Sequence, residues 1–158
     1  MRELILLRHA HAEPAAPGQA DIDRPLSLRG HAEAEAAGRW LQAHGFLPDQ
    51  VVCSPARRTR ETVERVLQTL GFVDTRLDER IYEATPGTLM AVAEAHRDIA
   101  RVLLVGHNPG FEQLCALLST GQSGDCRGMP TAAIAVLRLP AGAPLEPGIA
   151  QLAAYWSP

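Results

Sequence analysis

Short apolar runs alternate with longer amphipathic segments along most of the chain. Continuous apolar runs of this length are typical of strands covered on both faces. They predict four strands, at Leu4–Leu7, Val51–Cys53, Phe72–Leu77 and Arg101–Val105, of which the third has the weakest pattern. Later segments, TAAIAVLRL and IAQLAAYW, are separated by the turn-rich PAGAPLEPG and predict a closing hairpin or two edge strands.

The segments between the apolar runs carry helical spacing and helix-end signals. A serine or threonine N-cap, in two cases followed by proline, precedes three of them. The predicted helices are Leu28–His44 after Ser27, a helix from Ser54-Pro55 to Leu70, a helix from Thr85-Pro86 to about Arg97, and roughly Phe111–Leu118. The proline-rich segment 12–25 predicts a loop. Strands that alternate with helices favour a three-layer α/β/α sandwich with a mostly parallel central sheet.

Composition narrows the class of protein. A chain of 158 residues without a linker or repeat predicts one domain over residues 1–158. The net charge of −3 gives no field that would attract nucleic acid, and no apolar run approaches the ~18 residues of a membrane span. The three cysteines fit neither a disulfide framework nor a zinc site, and Cys53 is expected to be a reduced core thiol. Without a signal peptide, we expect a cytoplasmic protein.

Charged and imidazole side chains follow each of the four predicted strands. They are Arg8 and His9 after the first, Arg57 and Arg58 after the second, Glu79 and Glu83 after the third, and His107 after the fourth. Ligands of such sheets bind outside the carboxyl ends of the strands. If the strands are parallel, these side chains therefore converge at one edge of the sheet.

This set of residue types suits phosphoryl transfer. A neutral imidazole can attack phosphorus, guanidinium groups can hold the phosphoryl oxygens, and a carboxylic acid can protonate a leaving group. Each residue alone also has a structural interpretation, since strand-end histidines often serve only as hydrogen-bonding groups and arginines at helix starts are often solvated. Their joint occurrence at successive strand ends favours the functional interpretation.

Three segments resemble the signatures of the histidine phosphatase superfamily, which has the phosphoglycerate mutase-like fold. They are LLRHA, CSPARRTRET and VLLVGHNP. Ala10 stands where glycine is commoner and Thr59 where alanine is usual, and the second segment aligns its arginine with Arg58 rather than Arg57. The chain is similar to SixA-type phosphohistidine phosphatases in two further segments, DIDRPLSLRG and MPTAAIAVLRL. It also resembles them in its small size, since these enzymes lack large cap insertions.

The resemblance implies roles for individual residues. His9 would be the phosphorylated nucleophile, and Arg8, Arg58 and His107 would form the phosphate pocket. The segment RLDERIYEATPG is similar to one that carries a glutamate proton donor, which points to Glu79. Glu83 is the alternative, and both can also be ordinary loop carboxylates.

Three further residues have open roles. His11 either lines the pocket or, as we favour, is a loop histidine; Thr131 can bring a hydroxyl near phosphate; and Asp21 lies in a SixA-like segment. The resemblance implies an enzyme that needs no metal or other cofactor and hydrolyses phosphohistidine on a protein. The alternatives are a general small-molecule phosphomonoesterase and a non-catalytic phosphate-binding module. The sequence does not set an oligomeric state.

Overall fold

A six-stranded sheet with four helices forms the framework, and the computed structural model describes all 158 residues. The strands are β1 (Glu3–Arg8), β2 (Gln50–Cys53), β3 (Asp74–Leu77), β4 (Arg101–Gly106), β5 (Ile134–Arg138) and β6 (Gln151–Trp156). The helices are α1 (Leu28–Ala43), α2 (Arg57–Leu70), α3 (Pro86–Glu94) and α4 (Gly110–Thr120). No helix combines the length and the apolar character needed to cross a membrane.

The strand order β3-β2-β4-β1-β5-β6 makes the sheet mostly parallel, as predicted. Strands β1 to β4 run parallel to one another, whereas β5 is antiparallel to β1 and β6 is antiparallel to β5. The last two strands therefore pair as the predicted hairpin, but only β6 is an edge strand because β5 lies between β1 and β6. The carboxyl ends of β2, β4 and β1 come out side by side.

Alternate side chains of each central strand enter two separate cores, which explains the continuous apolar runs. Leu4 and Leu6 of β1 pack with the buried residues of α3 and α4 on one face. Ile5 and Leu7 pack with those of α1 and α2 on the other face. Because both faces of the sheet are covered, its strands need no alternation of polar residues. The predicted three-layer sandwich is confirmed.

The start of α2 differs from the prediction. Ser27 and Thr85 cap α1 and α3 as expected, with side chains that accept from Gly30 N and Thr88 N. Ser54, however, is not an N-cap, since α2 begins at Arg57 after an Ala56 that makes no side-chain cap. The reason is that the Ser54 hydroxyl faces a histidine at the sheet edge, as described below.

Two other helix and strand boundaries in the structure, at the end of α3 and the start of β3, differ from the predicted ones. Helix α3 stops at Glu94 because the next N–H groups bond three residues back, as His96 N does to Ala93 O, which forms turns instead of helix. Strand β3 starts at Asp74, where pairing with Gln50 begins, and the Phe72 side chain is 95% exposed. The expectation for Cys53 is confirmed, because it is a free thiol buried in the α1–α2 core.

Candidate active site

The carboxyl ends of β1, β2 and β4 bring two histidines and two arginines together. Arg8 ends β1 opposite Gly106, the last residue of β4, so His9 and His107 emerge next to each other. Their ring centroids are 5.3 Å apart. The first turn of α2 places Arg58 beside them, with Nη2 3.3 Å from His107 Nδ1.

His9 is held in one neutral tautomer. Its Nδ1 lies 2.7 Å from the carbonyl oxygen of Ala10, and since a carbonyl can only accept, Nδ1 carries the proton. The lone pair is therefore on Nε2. Burial lowers the pKa of His9 to about 4, and the nearby charges of Arg58 and Arg8 act in the same direction, although the bond to the Ala10 carbonyl opposes them. At neutral pH the ring is an unprotonated base.

His107 is held in the opposite tautomer. The guanidinium of Arg58 can only donate, so His107 Nδ1 accepts from it and Nε2 carries the proton. Nε2 then donates to Ser54 Oγ at 2.8 Å. Burial, followed by the neighbouring His9 and Arg58, lowers the pKa of His107 to about 3. His107 is thus a neutral ring that accepts a hydrogen bond from Arg58 and donates one to Ser54.

The arginine pair leaves two donors without partners. The Nε atoms of Arg8 and Arg58 are both buried and neither has a hydrogen-bond partner. Other atoms of the same groups fix their orientation, since Arg8 Nη1 donates to Met129 O at 2.8 Å and Arg58 donates to Asp21. A buried donor without a partner costs about 1–3 kcal/mol. Each arginine therefore keeps a donor that a bound anion could satisfy.

Arg57 and Arg58 lie in different surroundings, and Arg58 is the one that faces the site, as the resemblance implied. The Arg58 residue is 6% exposed and its guanidinium faces the histidines. Arg57 is exposed and pairs along the helix surface with Glu61 at 3.5 Å. Successive residues of an α-helix point in different directions, so only one of the two neighbouring arginines can face the site.

Asp21 and Tyr82 hold Arg58 from the side. Arg58 Nη1 donates to the backbone oxygen of Asp21 at 2.8 Å and Nη2 to its Oδ2 at 3.0 Å. The Tyr82 hydroxyl donates to the same Oδ2 at 2.5 Å, and its ring meets His107 edge-on at 5.4 Å. The hydrogen bond from Tyr82, together with those from Arg24 and Arg58, holds the pKa of Asp21 well below its usual range.

A cavity of about 450 Å³ opens beside this group of residues. Arg58 and His107 lie on its lining with Asp21, Tyr82 and Glu83, and the start of α4 forms another part of it. Glu79 is exposed on the short 3₁₀ turn before Tyr82 and is not among the lining residues. Arg8 and His9 are not among the lining residues either, so the cavity adjoins the site at Arg58 and His107. The structure brings Glu83, but not Glu79, to this cavity.

His11 and Thr131 belong to a supporting network. His11 Nδ1 lies 2.7 Å from Ser27 Oγ, and the Thr131 hydroxyl donates to Glu33 Oε1 at 2.9 Å. The buried Glu33 also accepts from His11 N at 2.8 Å. These contacts join the loop after β1 to α1 and to the segment before β5, and neither side chain lines the cavity.

The sequence did not single out Ser54 or Tyr82 as site residues. The sequence pattern predicts a helix cap at Ser54, and Tyr82 carries no motif or spacing signal of its own. A weak signal for Ser54 was its position directly after β2, where the other strands also place site residues. Nothing comparable marks Tyr82, because its contact with Asp21 joins residues 61 positions apart.

The chain is similar to several known proteins in sequence and in overall fold. A candidate phosphohistidine phosphatase SixA from Agrobacterium tumefaciens has 31% sequence identity and superposes with a TM-score of 0.86, covering 99% of this chain and 98% of that one. A protein histidine phosphatase SixA complexed with tungstate has 25% identity and a TM-score of 0.83, with 98% and 96% covered. Phosphohistidine phosphatase SixA of Escherichia coli K12 is 29% identical over 127 residues, which cover 77% of this chain and 76% of that protein.

The profile of one protein family matches the region that holds most of the site. It spans residues 4–102, from β1 through α1, β2, α2, β3 and α3 to the start of β4. Arg8, His9 and Arg58 lie inside the matched region, and His107 follows it. The chain therefore belongs to the histidine phosphatase superfamily, branch 1.

Proposed function

We propose that this protein hydrolyses phosphohistidine on a protein, through a covalent phosphoryl intermediate on His9. The observation that carries the proposal is the pair of buried, unpartnered Nε donors of Arg8 and Arg58 beside a neutral imidazole. A phosphoryl group offers three oxygens to such donors and an electrophilic phosphorus to the imidazole. The similarity to proteins named phosphohistidine phosphatase SixA supports the substrate, and tungstate in one of them supports a site for tetrahedral oxyanions.

In the first step, His9 Nε2 attacks the phosphorus of the substrate. The new N–P bond forms as the bond from phosphorus to the substrate imidazole breaks, and that electron pair returns to the substrate nitrogen. Arg8 and Arg58 hold the phosphoryl oxygens and stabilise their charge. His107, which accepts from Arg58 and donates to Ser54, holds the Arg58 guanidinium in place. His9 keeps its Nδ1 proton, which still donates to the Ala10 carbonyl.

In the second step, water attacks the phosphorus of phospho-His9. The O–P bond forms, the N–P bond breaks, and its electron pair restores the Nε2 lone pair. Both protons of the water remain on the released dihydrogen phosphate. His9 returns to the tautomer seen in the structure, so the cycle closes without a net proton change on the protein.

The predicted proton donor Glu79 has a limited part in this scheme. When the substrate ring is protonated on its second nitrogen, it leaves as neutral imidazole, so neither step needs a carboxylic acid. An alcohol leaving group would need one. We therefore expect Glu79→Gln to change phosphohistidine turnover by less than about twofold, and to matter only for phosphate esters if Glu79 is their acid.

The decisive experiment traps the intermediate. Wild-type protein, His9→Ala, Arg58→Ala and the matched control Arg57→Ala are mixed with radiolabelled phosphohistidine carrier protein, quenched in alkali and counted for protein-bound phosphate. Hydrolysis is followed in parallel, with p-nitrophenyl phosphate as an ester substrate and with EDTA present to test metal independence. Label is expected on the wild type and on Arg57→Ala, and not on His9→Ala.

Arg58→Ala is expected to lose about 100-fold or more in kcat/KM, as when one preorganised oxyanion donor is removed. Arg57→Ala should stay within about twofold because Arg57 lies on the outer surface of α2. Equal turnover by wild type and His9→Ala would overturn the mechanism. Strong preference for one metabolite phosphate would instead favour a small-molecule phosphomonoesterase, and phosphate binding without turnover of any substrate would favour a binding module.

A further inference from the structure

Glu83 is a carboxylate without a partner in the cavity of the active site. It lines the same cavity as Arg58 and His107, and its side chain forms no hydrogen bond or ion pair. Asp21, the other carboxylate of the lining, is already engaged, because Oδ2 accepts from Arg58 and Tyr82 and Oδ1 pairs with Arg24 at 3.1 Å. Glu83 is therefore the acidic group left to receive a ligand.

The backbone at Glu83 is held in an unusual conformation. Its φ is +56°, in the left-handed region that a glutamate rarely adopts, and such strain collects at functional sites. The adjoining Ala84 packs directly on the start of α4, where a Cβ added to Gly110 would lie 2.4 Å from the Ala84 carbonyl oxygen. The tight contact between Ala84 and Gly110 fixes the short segment that presents Glu83 to the cavity.

The cavity has charges of opposite sign at two places. Arg58 lies on its lining with an Nε that is buried and unpartnered, and in the proposed function this guanidinium holds the phosphoryl group. Glu83 adds a free negative charge elsewhere on the lining. A substrate with an anionic phosphoryl group and a cationic or N–H-donating leaving group matches this arrangement, whereas an anionic leaving group would be repelled.

We propose that Glu83 is a specificity residue that accepts a hydrogen bond from the free ring N–H of phosphohistidine, and so selects its ring-protonated form. The inference rests on the proposed function and adds the residue that recognises the leaving group. The carboxylate acts ionised, as an acceptor, and gives up no proton. During transfer to His9 the substrate ring keeps the proton that faces Glu83, the P–N electron pair returns to its other nitrogen, and the ring leaves as neutral imidazole.

The test compares two leaving groups in matched variants. Glu83→Gln keeps the shape of the side chain and removes the charge, and Asp23→Asn removes a charge from an exposed side chain outside the cavity lining. For each protein, kcat/KM is measured on free phosphohistidine and on p-nitrophenyl phosphate, whose leaving group is anionic. Thermal unfolding of each variant establishes that it is folded, and Glu83→Asn, whose residue type tolerates a positive φ, separates strain from charge.

Glu83→Gln and Glu83→Asn are both expected to lower kcat/KM on phosphohistidine by about tenfold, the low end for a hydrogen bond to a charged group at an exposed position. On p-nitrophenyl phosphate both should equal or exceed the wild type, and Asp23→Asn should match the wild type on both substrates. Equal losses on the two substrates, a loss on the ester alone as for a proton donor, or no loss on phosphohistidine would overturn the proposal. A wild type that does not hydrolyse phosphohistidine would overturn the proposed function itself, so the two failures differ.

Discussion

Removal of the Ser54 hydroxyl tests how the second histidine of the site is oriented. Ser54 is fully buried, and its Oγ accepts from His107 Nε2 at 2.8 Å and from Ala56 N at 3.3 Å. On its other edge, His107 accepts from Arg58 at 3.3 Å. The ring is thus fixed between an acceptor and a donor, and Ser54→Ala removes the acceptor without adding bulk.

The size of the effect follows from burial. In Ser54→Ala the Nε2–H of His107, a residue that is only 9% exposed, loses its partner, and a buried donor left unsatisfied costs about 1–3 kcal/mol. The ring can then tilt away from Arg58, which loses the acceptor that orients its guanidinium. If the whole loss appears in the transition state, kcat falls about 5- to 150-fold. The free energy of unfolding is expected to fall by about 1–3 kcal/mol.

The assay is steady-state hydrolysis of p-nitrophenyl phosphate, with urea unfolding of the same samples. Ser119→Ala serves as the control, because the Ser119 hydroxyl bonds only to Cys115 O within α4 and lies away from the cavity. It should leave kcat within about twofold of the wild type. A Ser54→Ala protein that is destabilised yet keeps the wild-type kcat would refute the reasoning, since His107 would then need no acceptor at Nε2.

Three other predictions follow from packing, ionisation and exposure. In urea titrations, Gly30→Ala should lower the free energy of unfolding by more than about 3 kcal/mol, because its Cβ would lie 1.9 Å from a backbone carbonyl oxygen. The control Gly87→Ala, whose Cβ would have nothing within 4 Å, should change it by less than about 1 kcal/mol. Similar losses in the two variants would contradict the packing argument. Since the pKa of folded His9 is about 4, below the ordinary 6.5, the unfolded chain binds a proton first as the pH falls, and stability present above pH 6.5 is lost toward pH 4. Between pH 6.5 and pH 4, the free energy of unfolding should fall by roughly 3 kcal/mol less in His9→Gln than in the wild type. Parallel curves of unfolding free energy against pH for the wild type and His9→Gln would contradict this prediction. A thiol reagent should modify the exposed Cys126 before the other two cysteines, and a first modification elsewhere, located by peptide mapping, would contradict the burial order.

The framework of the fold could be predicted from the sequence because its signals are local. The run Leu4–Leu7 predicts a strand covered on both faces, and the caps at Ser27 and Thr85 mark helix starts within a residue or two. These features depend on residues a few positions apart. The strand ends then follow from the parallel topology, which is why the positions of Arg8 and His107 at one sheet edge could be expected.

The remaining parts of the site depend on contacts between distant segments. Ser54 resembles a helix cap in sequence, yet its hydroxyl is used by His107, 53 positions away. Asp21 and Tyr82 meet across 61 positions, and no periodicity records such a pair. The sequence leaves the role of Thr131 open, because its hydroxyl donates to Glu33, 98 positions away.

The charges of the site also order the two steps of the proposed reaction. Before substrate binds, burial and the charges of Arg58 and Arg8 keep His9 unprotonated and its Nε2 lone pair available. Once Nε2 is bonded to phosphorus, the ring becomes cationic, and the phosphoryl charge offsets the arginines that disfavoured a cation. The Ala10 carbonyl, 2.7 Å from Nδ1, then stabilises that positive charge. Because a cationic ring leaves phosphorus as a neutral imidazole, the hydrogen bond that sets the tautomer for attack also prepares phospho-His9 for hydrolysis.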